Sequence, residues 1–178
     1  MAQKLIKKAA VVQCCGCRTE GQRSTERGGG CREVLENCKE TSGCRFGCVG
    51  MGSCAEVCRL KAIFINRFGT AQIDFEKCVG CGLCVKACPQ GLIRLIPREN
   101  PIYAACVNAE PGAQTRKECR SGCIACGICA KNCPVGAINI VENHAVIDLE
   151  KCIACGMCAV KCPRGAIGDA AGVFAAKL

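Results

Sequence analysis

Short apolar segments alternate with turns along this chain. Two stretches, 61–78 and 136–152, each carry a pair of β-rich segments around a turn, at residues 66–69 and 142–144, which is the pattern of a short hairpin. The segments AAVVQC (9–14) and PIYAAC (101–106) look alike, each resembling a strand that ends in cysteine. No long helical or strand pattern is present. The chain is therefore predicted to be an α+β protein of short strands and short helices.

Large apolar side chains are too scarce for a conventional core. The 178 residues include no Trp, one Tyr and five Phe, whereas 23 are Cys. The apolar run Ala9–Val12 is too short for a signal core and far too short to span a bilayer. The odd cysteine count also argues against a disulfide framework. We expect a cytoplasmic protein, without direct membrane insertion, whose reduced thiols bind metal.

The cysteines form four runs. Three of them follow the spacing C-x2-C-x2-C-x3-C-P, which is typical of [4Fe–4S] ferredoxins: Cys78, Cys81, Cys84 and Cys88; Cys123, Cys126, Cys129 and Cys133; Cys152, Cys155, Cys158 and Cys162. The fourth run is less regular, with Arg59 in place of the proline, and consists of Cys44, Cys48, Cys54 and Cys58.

This spacing predicts how the cysteines are shared between clusters. A C-x2-C-x2-C loop presents three thiolates from one tight curl, and glycine eases that curl. The fourth cysteine follows about one helical turn later and serves the partner cluster. Four clusters are expected, with these ligands: cluster I, Cys44, Cys48, Cys54 and Cys88; cluster II, Cys78, Cys81, Cys84 and Cys58; cluster III, Cys123, Cys126, Cys129 and Cys162; cluster IV, Cys152, Cys155, Cys158 and Cys133.

The runs also indicate an internal duplication. Cys44, Cys48, Cys54 and Cys58 recur 75 positions later as Cys119, Cys123, Cys129 and Cys133. We expect two tandem modules, each similar to a bacterial ferredoxin and each holding two clusters. The predicted boundaries are an N-terminal cysteine-containing segment at 1–43, a first module at 44–97, a linker at 98–118, a second module at 119–170 and a tail at 171–178.

Seven cysteines remain outside these assignments. Two interpretations of them stay open. One is a fifth cluster, with ligands drawn from Cys14, Cys17, Cys31, Cys106 and Cys119. The other is a set of buried free thiols and spare ligands, in which Cys119 replaces Cys126 in cluster III. The sequence assigns no role to Cys15 or Cys38.

Charge does not indicate a nucleic-acid partner. The formal net charge is +9, but four clusters with their thiolates contribute about −8 and leave about +1. Aromatic residues that would stack on bases are nearly absent. Zinc is the competing metal, although structural zinc sites usually use separated C-x2-C pairs or Cys/His mixtures. The single histidine, His144, lies in a predicted turn.

The chain resembles the polyferredoxin part of the B subunit of Rnf complexes. The resemblance covers roughly Cys14 to Gly168, and three stretches carry it: CRFGCVGMGSCAEVC, DFEKCVGCGLCVKACP and YAACVNAEPGAQTRKECRSGCIACGICAKNCP. Rnf complexes are membrane ferredoxin:NAD oxidoreductases that couple electron flow to ion transport. Their B subunits commonly begin with a membrane-anchoring helix and a further cysteine-containing domain, neither of which we expect here.

The resemblance implies a subunit that relays single electrons through at least four [4Fe–4S] clusters. Its partners would be a low-potential ferredoxin and a flavin or iron–sulfur subunit, and these partners would hold it at the cytoplasmic face of the membrane. No residue pattern indicates a catalytic base, a nucleophile or a nucleotide fingerprint, so we predict no catalytic residue. Two alternatives stay open: an electron-transfer subunit of another soluble complex (hydrogenase, dehydrogenase or bifurcating reductase), and a zinc-binding structural or interaction protein.

Overall fold

The computed structural model describes residues 7–16, 29–37 and 44–174. The strands are β1 (Lys8–Val12), β2 (Ile63–Ile65), β3 (Ala71–Ile73), β4 (Ile93–Pro97), β5 (Ile102–Ala104), β6 (Ile138–Val141), β7 (His144–Ile147) and β8 (Ile167–Asp169). The helices are α1 (Cys31–Asn37), α2 (Ser53–Glu56), α3 (Leu83–Ala87), α4 (Gly112–Glu118), α5 (Ile128–Lys131) and α6 (Met157–Lys161). These short elements confirm the predicted α+β class. None of the described helices is both long and apolar enough to cross a bilayer.

Two antiparallel strand pairs organise the first half of the chain. β1 pairs with β4, from Lys8 opposite Pro97 to Val12 opposite Ile93. β2 pairs with β3 around the predicted turn, where the Asn66 amide donates to the Thr70 carbonyl at 2.9 Å. The loop 48–54 lies in sequence between β1 and β2, and the loop 78–84 lies between β3 and β4, so each loop connects one strand pair to the other.

The second half repeats this arrangement. β5 pairs with β8, and β6 pairs with β7. Glu142 and Asn143 join β6 to β7 with φ of 44° and 62°, as expected for a tight two-residue hairpin turn. His144 follows the turn, and its Nδ1 lies 3.1 Å from the Glu142 carbonyl.

The strand pairing differs from the expected boundaries at two places. β1 belongs to the segment 1–43, which the sequence set apart, yet it pairs with β4. Residues 98–118, expected to be a linker, contain β5 and α4, and β5 pairs with β8. The physical reason is that the last strand of each half needs a partner for its backbone hydrogen-bonding groups. We therefore use "first module" for the described residues up to 97 and "second module" for residues 101–174.

The core of each module contains thiols as well as aliphatic side chains. In the first module, Cys54 and Cys84 are buried with Ile63 and Ile93. In the second, the fully buried Ile102 packs in a cluster that includes four buried cysteines: Cys106, Cys123, Cys129 and Cys158. The cysteine sites are consequently part of the core and do not lie on its surface.

A third apolar cluster joins the modules. Ala9, Val11, Phe75 and Ile96 of the first module are buried there against Tyr103, Leu149 and Ala170 of the second. A side-chain amide adds a polar link across the same boundary, because Gln13 Nε2 donates to the Ala104 carbonyl at 3.2 Å. Asn100, in the short segment between the modules, donates from Nδ2 to the Cys152 carbonyl at 3.1 Å. The two modules therefore pack as one unit.

Candidate metal centres

All four cysteine loops share one backbone shape. The residue before the second ligand position has a positive φ in each loop: 78° at Gly50, 70° at Gly80, and 55° at both Ala125 and Ala154. The glycine two residues later also has a positive φ and precedes the short helix: Gly52, Gly82, Gly127 and Gly156. These left-handed residues curl the chain tightly enough for one loop to present three ligand positions.

The structure brings the four cysteines predicted for cluster II around one cavity. Cys78, Cys81 and Cys84 line a space of about 280 Å³, and Cys58 from the preceding run lines it too. Much of the remaining wall is apolar and includes side chains from β1 and β2. This placement agrees with a crossed arrangement, in which the fourth thiol of each site comes from the other run of the module.

Cluster IV shows the same arrangement in the second module. Cys152, Cys155 and Cys158 line one cavity together with Cys133 of the preceding run. Burial, followed by the neighbouring Cys152 thiol, raises the pKa of Cys158 to about 11. A thiol in this environment stays protonated at neutral pH, so ligand formation there releases a proton.

The cysteines predicted for cluster III also lie close together. Burial is the main cause that raises the pKa of the Cys129 thiol, and three neighbouring thiols add to the shift: Cys123, Cys162 and Cys126. Cys162 belongs to the last run of the chain. Each run of the second module therefore places its fourth cysteine beside the loop of the other run.

The thiols placed around the cluster I loop are not all those that the sequence predicts for this site. Its loop, CVGMGSC, has the backbone shape of the cluster II loop, CVGCGLC, but Met51 occupies the position of Cys81. Cys31, at the start of α1, lies beside this position. Its amide donates to Ser53 Oγ at 2.9 Å, and its side chain packs with Val49 and Met51. Cys31 is therefore placed to supply the thiol that the loop lacks.

The electrostatics of Cys54 agree with this placement of Cys31. Burial is the main cause that raises the pKa of Cys54 to about 12, and three neighbouring thiols add to the shift: Cys48, Cys31 and Cys88. Cys44, which the sequence assigned to cluster I, lines a cavity with Cys14, Cys106 and Cys119. The sequence contains a signal for a further thiol at this site. Aligning Met51 with Cys81 shows that the loop 48–54 has only two cysteines of its own.

Backbone amides donate to the sulfur atoms of three crossing cysteines. In each case the donor is the residue four positions after the cysteine: Ala62 to Cys58 at 3.4 Å, Ala137 to Cys133 at 3.2 Å, and Ala166 to Cys162 at 3.3 Å. Amide donors stabilise negative charge on a thiolate and tune the potential of a cluster that it binds. The repeated contact indicates that these sulfur atoms share one role.

The donor sets suit a multi-iron core better than a single ion. Within the described part of the chain, no three Cys, His, Asp or Glu side chains are grouped so as to hold one metal ion. A tetrahedral zinc site would need sulfur atoms about 3.8 Å apart. A cubane spreads its four thiolates around a larger core, and four thiols from two separate runs line the cavity at the cluster II site.

In three of the loops, one predicted ligand position reaches the surface. Cys81, Cys126 and Cys155 are the exposed thiols among the described cysteines. Val79 and Ile153, which lie beside two of them, are 66% and 61% exposed. The buried cysteines of the same loops face the core. Each of these sites therefore has one side buried in the core and one side exposed to solvent.

The remaining cysteines divide into two groups. Cys14, Cys15, Cys106 and Cys119 lie where the two modules meet. Cys17, a candidate for the fifth cluster, and Cys38 lie outside the described residues.

Comparison with domain families defines the class of protein. A 4Fe-4S binding domain matches residues 71–94, and a 4Fe-4S dicluster domain matches residues 122–166. These ranges contain the three regular cysteine runs. The chain is a polyferredoxin, built from ferredoxin-type domains that bind four [4Fe–4S] clusters.

Individual relatives show which group of polyferredoxins this chain resembles. The chain is 40% identical over 152 residues to the B subunit of the Na⁺-translocating ferredoxin:NAD⁺ oxidoreductase complex of Acetobacterium woodii, a match that covers 84% of this chain and 46% of that protein. It is 46% identical over 52 residues to the B subunit of the ion-translocating oxidoreductase complex of Methanosarcina acetivorans, covering 29% of this chain and 19% of that protein. These matches confirm the resemblance to Rnf B subunits.

The matches cover only part of each relative. The chain spans less than half the length of the Acetobacterium protein. A solved formate dehydrogenase–heterodisulfide reductase–formylmethanofuran dehydrogenase complex from Methanospirillum hungatei covers 68% of this chain and 51% of its own matched chain. Its sequence identity is 21% and its TM-score is 0.28, so it carries no argument about the fold.

Gly80 provides a test of the loop geometry at cluster II. A Cβ at this position would lie 2.4 Å from the Lys8 carbonyl oxygen of β1. Alanine itself adopts a positive φ at the equivalent positions 125 and 154, so the obstacle is the neighbouring strand. Gly80→Ala should therefore release about four iron atoms per chain and lower the midpoint of anaerobic thermal unfolding.

Gly91→Ala is the matched control for Gly80→Ala. Gly91 has a φ of 63°, but no atom lies within 4 Å of its added Cβ. We expect this variant to keep its iron and to lose only about 1 kcal/mol of stability from the backbone conformation. Equal iron contents in the two variants would contradict the packing argument.

Proposed function

We propose that this chain is the electron-transfer iron–sulfur subunit of an Rnf-like ferredoxin:NAD oxidoreductase. The observation that best supports the proposal is the crossing of ligands between runs. Cys58 lines the cavity of the following run, and Cys133 does the same in the second module. Because one short helical segment serves both sites of a module, the two sites are neighbours, as an electron relay requires.

The ligand sets that we propose follow the placement of the thiols. Cluster I is held by Cys31, Cys48, Cys54 and Cys88, and cluster II by Cys58, Cys78, Cys81 and Cys84. Cluster III is held by Cys123, Cys126, Cys129 and Cys162, and cluster IV by Cys133, Cys152, Cys155 and Cys158.

The residues of this chain position the ligand thiols and control the solvent and charge around them. When bound, the clusters accept and donate single electrons. The curled loops hold the thiols, and the buried aliphatic residues around them, such as Ile63 and Ile138, keep water from the inner side. The amide donors at Ala62, Ala137 and Ala166 offset the negative charge of the thiolates.

The exposed thiol positions are the proposed points of contact with redox partners. Cys81 of the first module and Cys155 of the second each lie beside an exposed apolar residue, Val79 or Ile153. A partner that packs against such an edge excludes water and shortens the distance to the cluster. We assign a low-potential ferredoxin to one edge and a flavin or iron–sulfur subunit to another.

The proposed location follows from the same relatives. Partner subunits would hold the chain at the cytoplasmic face of the membrane, and the chemistry on NAD would take place in a partner. Co-purification under anaerobic conditions separates this proposal from the alternative of another redox complex. Membrane subunits in the isolated assembly would support the Rnf-like complex, whereas soluble flavoproteins alone would contradict it.

Electron acceptance by the chain alone tests the central part of the proposed function. Anaerobically prepared protein should be brown, bleach with dithionite, and become reduced when mixed with a reduced low-potential ferredoxin. It should not reduce NAD⁺ without its partners. The measurement is absorbance and EPR after rapid mixing. A colourless protein that contains zinc instead of iron and acid-labile sulfide would contradict the proposal.

Reciprocal cysteine variants test the crossed ligands. Cys58→Ala should remove the EPR signal of cluster II and spare cluster I, although Cys58 lies in the first run. Cys88→Ala should do the reverse, and each variant is the control for the other. If Cys88→Ala removed cluster II and left cluster I intact, the crossed assignment would be wrong.

A further inference from the structure

The turns that lead into the cluster II and cluster IV loops are nearly identical. Their sequences are DFEKC at 74–78 and DLEKC at 148–152. In each turn the cysteine amide donates to the aspartate carbonyl at 3.0 Å, and the lysine ammonium lies 3.2 Å or 3.4 Å from the aspartate carboxylate. Because the two turns match internally, the groups that contact them from outside can be compared directly.

A cation lies against the first of these turns. Arg98 Nη2 lies within hydrogen-bond distance of three carbonyl oxygens: Phe75 at 2.6 Å, Glu76 at 3.2 Å, and Cys78. Cys78 is a proposed ligand of cluster II. Since a guanidinium stays protonated at neutral pH, a permanent positive charge stands beside the backbone of this ligand.

A neutral amide contacts the second turn in the same way. Asn100 Nδ2 donates to the Cys152 carbonyl at 3.1 Å and lies 3.5 Å from the Leu149 carbonyl. These positions correspond to Cys78 and Phe75 of the first turn. The segment 98–100 between the modules therefore holds both turns, the first with a charged side chain and the second with an uncharged one.

The position of the Arg98 guanidinium is fixed by its surroundings. Its central carbon lies 5.0 Å from the centroid of the buried Phe75 ring. The backbone amide of Arg98 donates to the Lys7 carbonyl at 2.9 Å, next to the start of β1. The residue itself is partly buried. Water therefore screens this charge less than it screens a cation on the surface.

A fixed positive charge acts on the potential of a nearby cluster. A [4Fe–4S] cluster gains one negative charge when it is reduced, so a neighbouring cation stabilises the reduced state more than the oxidised state. The Ala10 amide adds to this effect, because it donates to Cys78 Sγ at 3.2 Å. The side chain of Asn100 carries no net charge and has a smaller effect on cluster IV.

We propose that Arg98 raises the reduction potential of cluster II above that of cluster IV. This inference rests on the proposed electron-relay function and deepens it, because it gives the two clusters an order of reduction. The electron comes from the low-potential ferredoxin of the proposed function, and an electron shared between these two clusters rests on the one beside Cys81.

An anaerobic redox titration of the reconstituted full chain, followed by EPR, is the primary test. The cluster II signal is the one that Cys58→Ala removes, and the cluster IV signal is the one that Cys133→Ala removes. In the wild type, the cluster II signal should develop at the higher potential. A wild type in which cluster IV is reduced before cluster II would overturn the inference.

Arg98→Gln locates the cause of the order. Glutamine keeps a side-chain donor but removes the charge. We expect the ratio of reduced to oxidised cluster II to fall about tenfold at a fixed ambient potential, which is about 59 mV for a one-electron couple. The potential of cluster IV should stay unchanged.

Arg98→Lys separates charge from hydrogen bonding. Lysine keeps the positive charge but loses the planar fork of donors. This variant should therefore have a cluster II potential closer to that of the wild type than to that of Arg98→Gln. Equal shifts in the two variants would show that the hydrogen bonds set the potential, which contradicts the charge argument.

Lys77→Gln is the matched control. It removes one positive charge from the same turn, but the Lys77 side chain is 66% exposed, so solvent screens its charge. The cluster II potential should stay at its wild-type value. A shift as large as that of Arg98→Gln would mean that net charge, and not the charge held against Cys78, is responsible.

Iron and sulfide counts on every variant separate this inference from the proposed function. An unchanged cluster II potential in Arg98→Gln, with its iron complete, would overturn the inference and leave the relay intact. A wild type without any reducible cluster would overturn both. If Arg98→Gln does not retain its iron, the order of reduction in the wild type decides.

Discussion

The curled cysteine loop is the constraint on which the rest of this structure depends. Two left-handed residues in each loop, such as Gly80 and Gly82, turn the chain within seven positions so that three ligand positions face one point. The short helix that follows each loop ends one or two residues before the cysteine that we propose as a ligand of the neighbouring site. The strand pairs β1–β4 and β5–β8 then close each module around its loops. Fold and metal binding are therefore two aspects of the same geometry.

Much of this architecture could be predicted from the sequence, because spacing and chemistry are local. The three regular runs, both hairpins and the strands that lead to Cys14 and Cys106 follow from residue order alone. The pairing of β1 with β4 could not be predicted, since it joins residues about 85 positions apart and depends on which strand edge is left open. For the same reason the sequence indicates a linker at 98–118, although this segment supplies β5.

The irregular run shows where local spacing misleads. Four cysteines in sequence suggest one ligand set, but Met51 breaks the loop, and Cys31 reaches it from α1. Cys44 is then available to the cavity between the modules. A duplicated chain thus uses equivalent positions, Cys44 and Cys119, at the junction of its two copies. In the ligand sets that we propose, the thiol missing from the cluster I loop comes from α1, and no segment of the second module has this role.

Removal of iron tests most directly whether inorganic cores hold this fold together. Among the described residues few large apolar side chains are fully buried, such as Ile96 and Ile102, and four buried cysteines belong to the cluster that contains Ile102. Treatment with a chelator and a reductant under anaerobic conditions, followed by far-ultraviolet circular dichroism and amide hydrogen exchange, should show loss of the strand pairs as iron leaves. A chain that keeps its strand signal and its amide protection after complete iron removal would contradict this account.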